Sequence, residues 1–455
     1  MKKIFGIAAL LAAGVSLRAA VTSDSVSPVV GISTTNAMQT GIAIDARNNI
    51  HMCFYDPALQ VLNYAFLQNG TNVWAVSTVS ETGVQVAPQN ALALENGLVP
   101  HVVFYEINPS SGVRHARLNG AYWVTDSVED FVGTPPYVSI AVGTDNKPRV
   151  AYTYSPSSST VYAEYSTTWS TYTVLASSFA GPVDLALTSA NAPRILFVSS
   201  TATSGWTVGI ADRQGPGFRS VLYGDENLPI DDGVALAVDA LGNAHAVFTS
   251  STTPPSGKIT HYAVFNSTGD PLSGTPFTNP LDLFVSTQAP VFSDIAVDSQ
   301  NHAAIVASPG KTDLRLLRFD GTATPGLTTL AVSTDPVGVG VSVALNPLGH
   351  IVTGYYQVGS ADVRFATEAD RHLSITGSLF DFTPAALSGA SLSLSGPVLS
   401  SSVVSDAAGA YSFNELLKGL MMSLPPNPVT LSNRPSVKSS CGTPAPRTRI
   451  SRAGR

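Results

Sequence analysis

A chain of 455 residues is too long for one small core and suits a large domain with a smaller one. Only 12% of the residues are charged, so the solvated faces must be built largely from hydroxyl side chains, as suits short strands and turns. The net charge of -7 excludes the basic footprint of a nucleic-acid partner.

Residues 1–20, MKKIFGIAALLAAGVSLRAA, place two lysines before an apolar run from Ile4 to about Leu17 and then small residues. That is the layout of a secretory signal peptide. The run is shorter than the roughly 20 apolar residues of a membrane span, and no later segment could span one. The mature chain is expected to start near Val21 and to be secreted, extracellular or periplasmic, with the cell surface open as a location. Cys53 and Cys441 are the only cysteines, one in a strand pattern and one in the tail, which argues against a disulfide framework and a cysteine-bound zinc.

From residue 41 onward one pattern recurs. An alanine between aliphatic residues appears in IAID at Ala43, LALE at Ala93, IAVG at Ala141, LALT at Ala186, LAVD at Ala237, IAVD at Ala296 and VALN at Ala344, at spacings of 50, 48, 45, 51, 59 and 48 residues. Each copy turns through Asn, Gly, Asp or Pro and enters a second apolar strand such as HMCFY or HVVFY, the signature of a β-hairpin. A third strand ends in a second alanine at Ala65, Ala116, Ala163, Ala211, Ala263 and Ala366, with Leu317 in the sixth copy. Trp74, Trp123 and Trp169 open a fourth strand in the first three copies. Four antiparallel strands every 45 to 59 residues predict an all-β, seven-bladed β-propeller. The marker alanines are expected where twisted sheets converge and larger side chains would overpack. The seventh copy lacks its own fourth strand, and VTSDSV (residues 21–26) resembles the fourth-strand segment VTDSV (residues 124–128), so the start of the mature chain is expected to complete the last blade.

These repeats resemble those of bacterial exported sialidase-like (BNR-like) seven-bladed propellers, over residues 21–372. That resemblance implies a fold that hosts hydrolases, lyases, lectins and scaffolds alike. The following segment, residues 373–420, carries alternating strands, a Ser-Asp-Ala-Ala-Gly turn and AYSF. It is similar to carboxypeptidase-regulatory-like domains, small Ig/transthyretin-like β-sandwiches, with Gly377, Gly389, Asp406, Gly409, Tyr411, Phe413 and Gly419 at the turn and core positions. It is shorter than a sandwich of about 100 residues. Residues 421–455 hold six basic residues, no acidic ones and six prolines, without strand periodicity, and read as a basic disordered tail or a shifted reading frame.

Catalytic signatures are sparse. Asp-box motifs are missing, and Arg114, Arg117, Arg149, Arg194 and Arg364 sit on apolar strands where they could snorkel to the rim. No Ser-His-Asp order, phosphate-cradling glycine loop or HExxH motif is legible. His51, His101 and His245 recur at one blade position, so they cannot converge on one metal ion and are expected to close hairpins by hydrogen bonding. Asp45, Asp239 and Asp298 begin first hairpin turns and are expected to bond turn amides in preference to calcium. No metal and no cofactor is expected. The loops between second and third strands vary in length, and Tyr55, Asp56, Tyr105, Glu106, Tyr154, Tyr355 and Tyr356 beside them are the expected ligand-binding lining of a channel mouth. The resulting expectation is a secreted, noncatalytic, monomeric binding or scaffold protein whose partner is a glycan or a cell-surface protein. A glycoside hydrolase or lyase acting on polysaccharide is the alternative.

Overall fold

The computed structural model describes residues 22–29, 38–176, 179–201, 205–215, 217–223, 232–251, 257–273, 280–286, 292–309, 312–319, 325–332, 337–346 and 349–367, and, beyond these, 373–378, 386, 388–395, 400–416 and 430–432. The expected signal peptide and nearly all of the expected tail lie outside the described residues. The chain divides into two compact units, residues 21–368 and a second comprising residues 1–20 with 369–455.

The first unit is a seven-bladed propeller: seven four-stranded antiparallel sheets, in six of which the strands follow in chain order. Blade 1 runs through Thr40–Ile44, Ile50–Asp56, Val61–Leu67 and Trp74–Thr78. The seventh blade takes its outer strand, Thr22–Pro28, from the start of the propeller, paired with Asp362–Thr367. The inner strands pack against one another in ring order, the seventh against the first. Thr22–Pro28 therefore closes the ring, as VTSDSV suggested.

Turn chemistry explains why the hairpin recurs. Asp45 Oδ1 accepts hydrogen bonds from the backbone N–H groups of Arg47 and Asn49, both at 2.8 Å, and Asp239 and Asp298 repeat the arrangement. Five residues after the marker, Asn48, Asn146, Asn191, Gly242, Asn301 and Gly349 adopt φ between 60° and 84°. Asn and Gly tolerate that left-handed conformation at least cost. Blade 2 uses Asn96-Gly97 instead, with both residues at positive φ.

The marker alanines from Ala93 onward are half-buried and pack into the apolar clusters between one blade and the next. The tighter position lies two residues earlier on the inner strand. At Gly41 a Cβ would sit 2.7 Å from Cys53 Sγ and 2.9 Å from Leu92 Cβ, so a side chain there would displace the neighbouring blade. On the third strands Ala65, Ala116, Ala163, Ala211 and Ala366 are fully buried.

The tryptophans do more than open fourth strands. Trp74 meets Phe365 of blade 7 edge-on at 5.3 Å, Trp123 meets Tyr64 of blade 1 at 5.2 Å, and Trp169 meets His115 of blade 2 at 5.3 Å. Phe218 continues the series on Tyr162 in blade 4. The outer strands of blades 1 to 4 thus grip the third strand of the preceding blade through a ring contact, worth about 0.5–1.5 kcal/mol beyond the area it buries.

In the second unit, Leu373–Ser378 pairs with Ala410–Leu416, and Ser391–Ser395 lies between Ser400–Val404 and Thr430–Ser432. Thr430–Ser432 falls inside the stretch expected to carry no strand; its Thr-Leu-Ser suits a short edge strand. Asp406 Oδ1 accepts from the N–H groups of Ala408 and Ala410, and Tyr411 is buried.

Removing residues 22–28 would leave Asp362–Thr367 as an unpaired edge. The shortened protein is expected to melt at lower temperature and to self-associate, as checked by thermal denaturation and size-exclusion chromatography; an unchanged monomer would contradict this.

Candidate functional site

The residues expected to line a mouth are mostly spent inside the fold. Tyr355 and Tyr356 are fully buried, and Tyr55, Tyr105 and Glu106 are buried as well. Tyr356 accepts a hydrogen bond from Tyr55 N at 2.7 Å and donates to Tyr55 O at 3.1 Å, riveting blade 7 to blade 1. Burial pushes its phenol well above the usual range. Tyr355 belongs to the apolar cluster between blades 6 and 7, and Tyr105 donates to Phe131 O at 3.0 Å. Glu106 accepts from Arg114 Nε at 2.7 Å, and the same guanidinium reaches Asp130 at 2.6 Å and Ser127 at 2.9 Å. Of the expected set only Asp56 and Tyr154 keep partly exposed side chains. Asp56 caps its own loop through the N–H groups of Ala58 and Leu59, and Tyr154 lies edge-on to Phe131 at 4.8 Å. Five of the seven expected residues are therefore buried and cannot line a mouth, because strand ends at this depth are still sandwiched between blades.

Three of the five arginines do not snorkel, while the side chain of Arg117 stays 38% exposed beside Glu95 and that of Arg364 24% exposed beside Asp362. Arg114, Arg149 and Arg194 are buried. Arg149 pairs with Asp145 at 2.8 Å and Arg194 with Asp212 at 2.8 Å, while Arg194 also donates to Gly242 O and Asn266 O of blade 5. The histidines close hairpins as expected: His51 Nδ1 bonds the Tyr64 hydroxyl at 2.6 Å and His245 Nδ1 bonds that of Tyr262 at 2.7 Å. In blade 2 a longer chain runs Glu95–His101–His115–Asp126, with links of 3.0, 2.8 and 2.7 Å. Burial there lowers His101 to about 4, so it stays neutral. Among the described residues no group of three or more His, Cys, Asp or Glu side chains is placed to hold a metal ion.

The convergent polar site lies where the inner strands meet. A cavity of about 230 Å³ is lined from all seven blades, with Thr40, Asn90, Ser139, Asp184, Asp294 and Ser342 as its principal polar groups. Two residues before the marker alanine stand Gly41, Ala91, Ser139, Asp184, Ala235, Asp294 and Ser342, so blades 4 and 6 alone carry a carboxyl in this row. Asp184 Oδ1 accepts from Ser139 Oγ at 2.6 Å and from Leu185 N at 2.8 Å, and Oδ2 accepts from Leu236 N at 2.7 Å, linking blades 3, 4 and 5. Asp294 accepts from Ile295 N at 2.8 Å and from Val343 N of blade 7 at 2.6 Å. Burial raises Asp184 to about 6; burial, with the charge of Asp184, raises Asp294 to about 8. Near neutral pH Asp294 therefore retains a proton and can donate as well as accept. Both residues were visible in VDLALT and FSDIAVD as the charged members of an otherwise small-residue row, a signal the sequence reading passed over.

No protein-family model and no curated protein matches the chain. Similar solved structures include lectins and a polysaccharide lyase. AofleA from Arthrobotrys oligospora is 10% identical, with 69% of this chain and 90% of that one covered at a TM-score of 0.46. The Aleuria aurantia lectin, described as six-bladed with a fucose recognition mode, is 11% identical, with 66% and 96% covered at 0.45. The polysaccharide lyase Uly1 is 10% identical, with 75% and 91% covered at 0.48.

The two carboxyls bind protons more tightly folded than unfolded, where they titrate near ~4. Their contribution to stability is therefore complete below that value and declines as pH rises through about 6 and about 8. The melting temperature is expected to fall between pH 5 and pH 9, and Asp294→Asn is expected to remove the upper part of the fall. Parallel pH profiles for the two proteins would refute the assignment.

Proposed function

We propose that the chain is an exported glycan-recognition protein that binds sugar hydroxyls at the propeller's central cavity. The observation that carries this reading is the convergence of hydroxyl, amide and carboxyl groups from six of the seven blades on one small cavity, blade 5 adding only Val234. Its volume, about 230 Å³, lies below the ~300 Å³ at which drug-sized pockets begin, which suits one terminal sugar better than a long chain. Thr40 and Ser139 give their hydroxyl protons to Gly340 O and Asp184 and keep acceptor capacity, Ser342 shares a hydrogen bond with Thr40, and Asp184 and Asp294 differ in protonation near neutral pH, so the wall offers a sugar several acceptors and, at Asp294, a donor. Asp56 and Tyr154 serve as outer contacts in this reading. The C-terminal unit is taken as a truncated carboxypeptidase-regulatory-like sandwich, residues 1–20 as an export signal, and the protein as a monomer.

The same carboxyl pair supports one alternative. Two buried carboxyls with proton affinities pushed apart are the pattern of an acid and its partner in glycoside cleavage, so a polysaccharide-acting enzyme is the second reading.

A glycan and polysaccharide screen with the full chain, with product analysis on every hit, separates the two. Saturable binding without products, weakened about tenfold or more by Asp184→Asn with Asp294→Asn, is the expected result; each lost charged hydrogen bond is worth roughly 1.5–3 kcal/mol. Released sugars would transfer the pair to the enzyme reading. Binding to no glycan would overturn both.

A further inference from the structure

Three strands of blade 5 bring together side chains whose order in the chain gave no hint of their contact. Ser250 is the penultimate residue of the second strand, Ala244–Ser251; His261 lies on the third, Lys258–Phe265; Asp282 lies on the fourth, Leu281–Ser286. Ser250 Oγ is 2.7 Å from His261 Nε2, and His261 Nδ1 is 2.8 Å from Asp282 Oδ1. The carboxylate can only accept, so Nδ1 carries the ring proton, Nε2 presents its lone pair, and the serine hydroxyl must donate. Nucleophile, base and orienting carboxylate thus stand in the required sequence at hydrogen-bonding distance.

Three of the other six blades carry an arginine at the position of His261, while blades 1, 3 and 4 carry Asn63, Val161 and Gly209 there. His261 pairs with Phe248 across the strands as Arg114 pairs with Phe104 in blade 2, and Ser250 and Glu106 each lie two residues beyond that phenylalanine. In blade 2 the result is a closed ion pair, Glu106–Arg114–Asp130. Blades 6 and 7 also place an arginine at this point, Arg315 beside Asp313 and Arg364 beside Asp362. Blade 5 replaces the arginine by a titratable imidazole and the glutamate by a hydroxyl. The ring of His261 is held by Phe248, stacked at 5.0 Å, and burial lowers its proton affinity, keeping it a neutral base. The site opens outward: the side chain of Asp282 is 62% exposed, that of His261 15%, and Ser250 8%. None of the three lines the central cavity.

The geometry points to a hydrolytic site at Ser250, His261 and Asp282 for carboxylic esters with a small acyl group. Ser250 Oγ attacks the acyl carbon while its proton passes to His261 Nε2. The bond from carbon to the alcohol oxygen breaks, and that oxygen leaves with the proton, giving acyl-Ser250 and a free alcohol. Water then adds to the acyl carbon, lending its proton to His261; the bond to Ser250 Oγ breaks and takes the proton back, releasing a carboxylic acid. Asp282 is the positioning residue, fixing the imidazole tautomer. Ser250 is only 8% exposed, which favours a small acyl group, so an O-acetyl ester is the substrate class assigned.

The test treats the full chain with a small fluorophosphonate and, separately, with p-nitrophenyl acetate. A phosphonyl adduct on the Ser250 peptide is expected, with turnover falling about 10²-fold or more in Ser250→Ala and in His261→Gln, each still melting cooperatively. As a second variant, Ser250→Cys is expected to react with iodoacetamide faster when His261 is present than in combination with His261→Gln. An unlabelled Ser250 in folded protein, or equal turnover in Ser250→Ala, would overturn the proposal. Either result is independent of glycan binding at the cavity.

Discussion

A sheet whose inner strands are apolar on both faces has no water-stable side, so each blade can be buried only by its two neighbours, and the last must be buried by the first. The other features follow from that demand. Inner strands can approach a common axis only if the innermost residues are small, which is why a Cβ at Gly41 would strike Cys53 and Leu92. The ring cannot end in an open edge, so blade 7 borrows Thr22–Pro28 and places both ends of the ring's chain in one sheet.

Apolar contact alone leaves neighbouring blades free to slide, because burial is non-directional. Directional contacts at several radii remove that freedom. At the axis, Asp184 ties blade 3 through Ser139 to blade 5 through Leu236 N, and Asp294 ties blade 6 to Val343 N of blade 7. Between strands, Arg194 spans to carbonyls of blade 5 and Tyr356 spans to the backbone of Tyr55. At the rim, Trp74, Trp123, Trp169 and Phe218 rest edge-on against the preceding blade.

The fold was legible because it rests on local, repeated information: an alanine, a turn with Asn or Gly at one fixed offset, and apolar runs of constant length. The candidate sites were much less so, for two physical reasons. Which strand-end side chain faces solvent depends on how deeply the end is sandwiched between blades, which no single repeat encodes; the buried Tyr355 and Tyr356 were read as rim residues on that account. Contacts across three strands depend on register, and register depends on bulges and loop lengths that vary between copies. A bulge at Leu283 on the fourth strand, matched in blades 2, 3, 6 and 7 but not in blades 1 and 4, is what sets Asp282 opposite His261. Ser250, His261 and Asp282, separated by 11 and 21 residues, carry no motif that a linear reading could find.

A repeat also supplies its own control. Where all seven copies agree, the ring's geometry is a sufficient reason for the residue. Where one or two depart at a measurable cost, the ring is not. A buried carboxyl is expensive to desolvate, and glycine, alanine or serine satisfies the same row in the other five blades, so packing does not require Asp184 or Asp294. Likewise, blade 2 shows that the position of His261 can be filled by an arginine held between two carboxylates. A hydroxyl bound to a neutral imidazole carries less electrostatic attraction than that ion pair, and so replaces a stronger staple with a more reactive one. The departures of blades 4, 5 and 6 are thus the places in this ring where packing alone does not account for the residues.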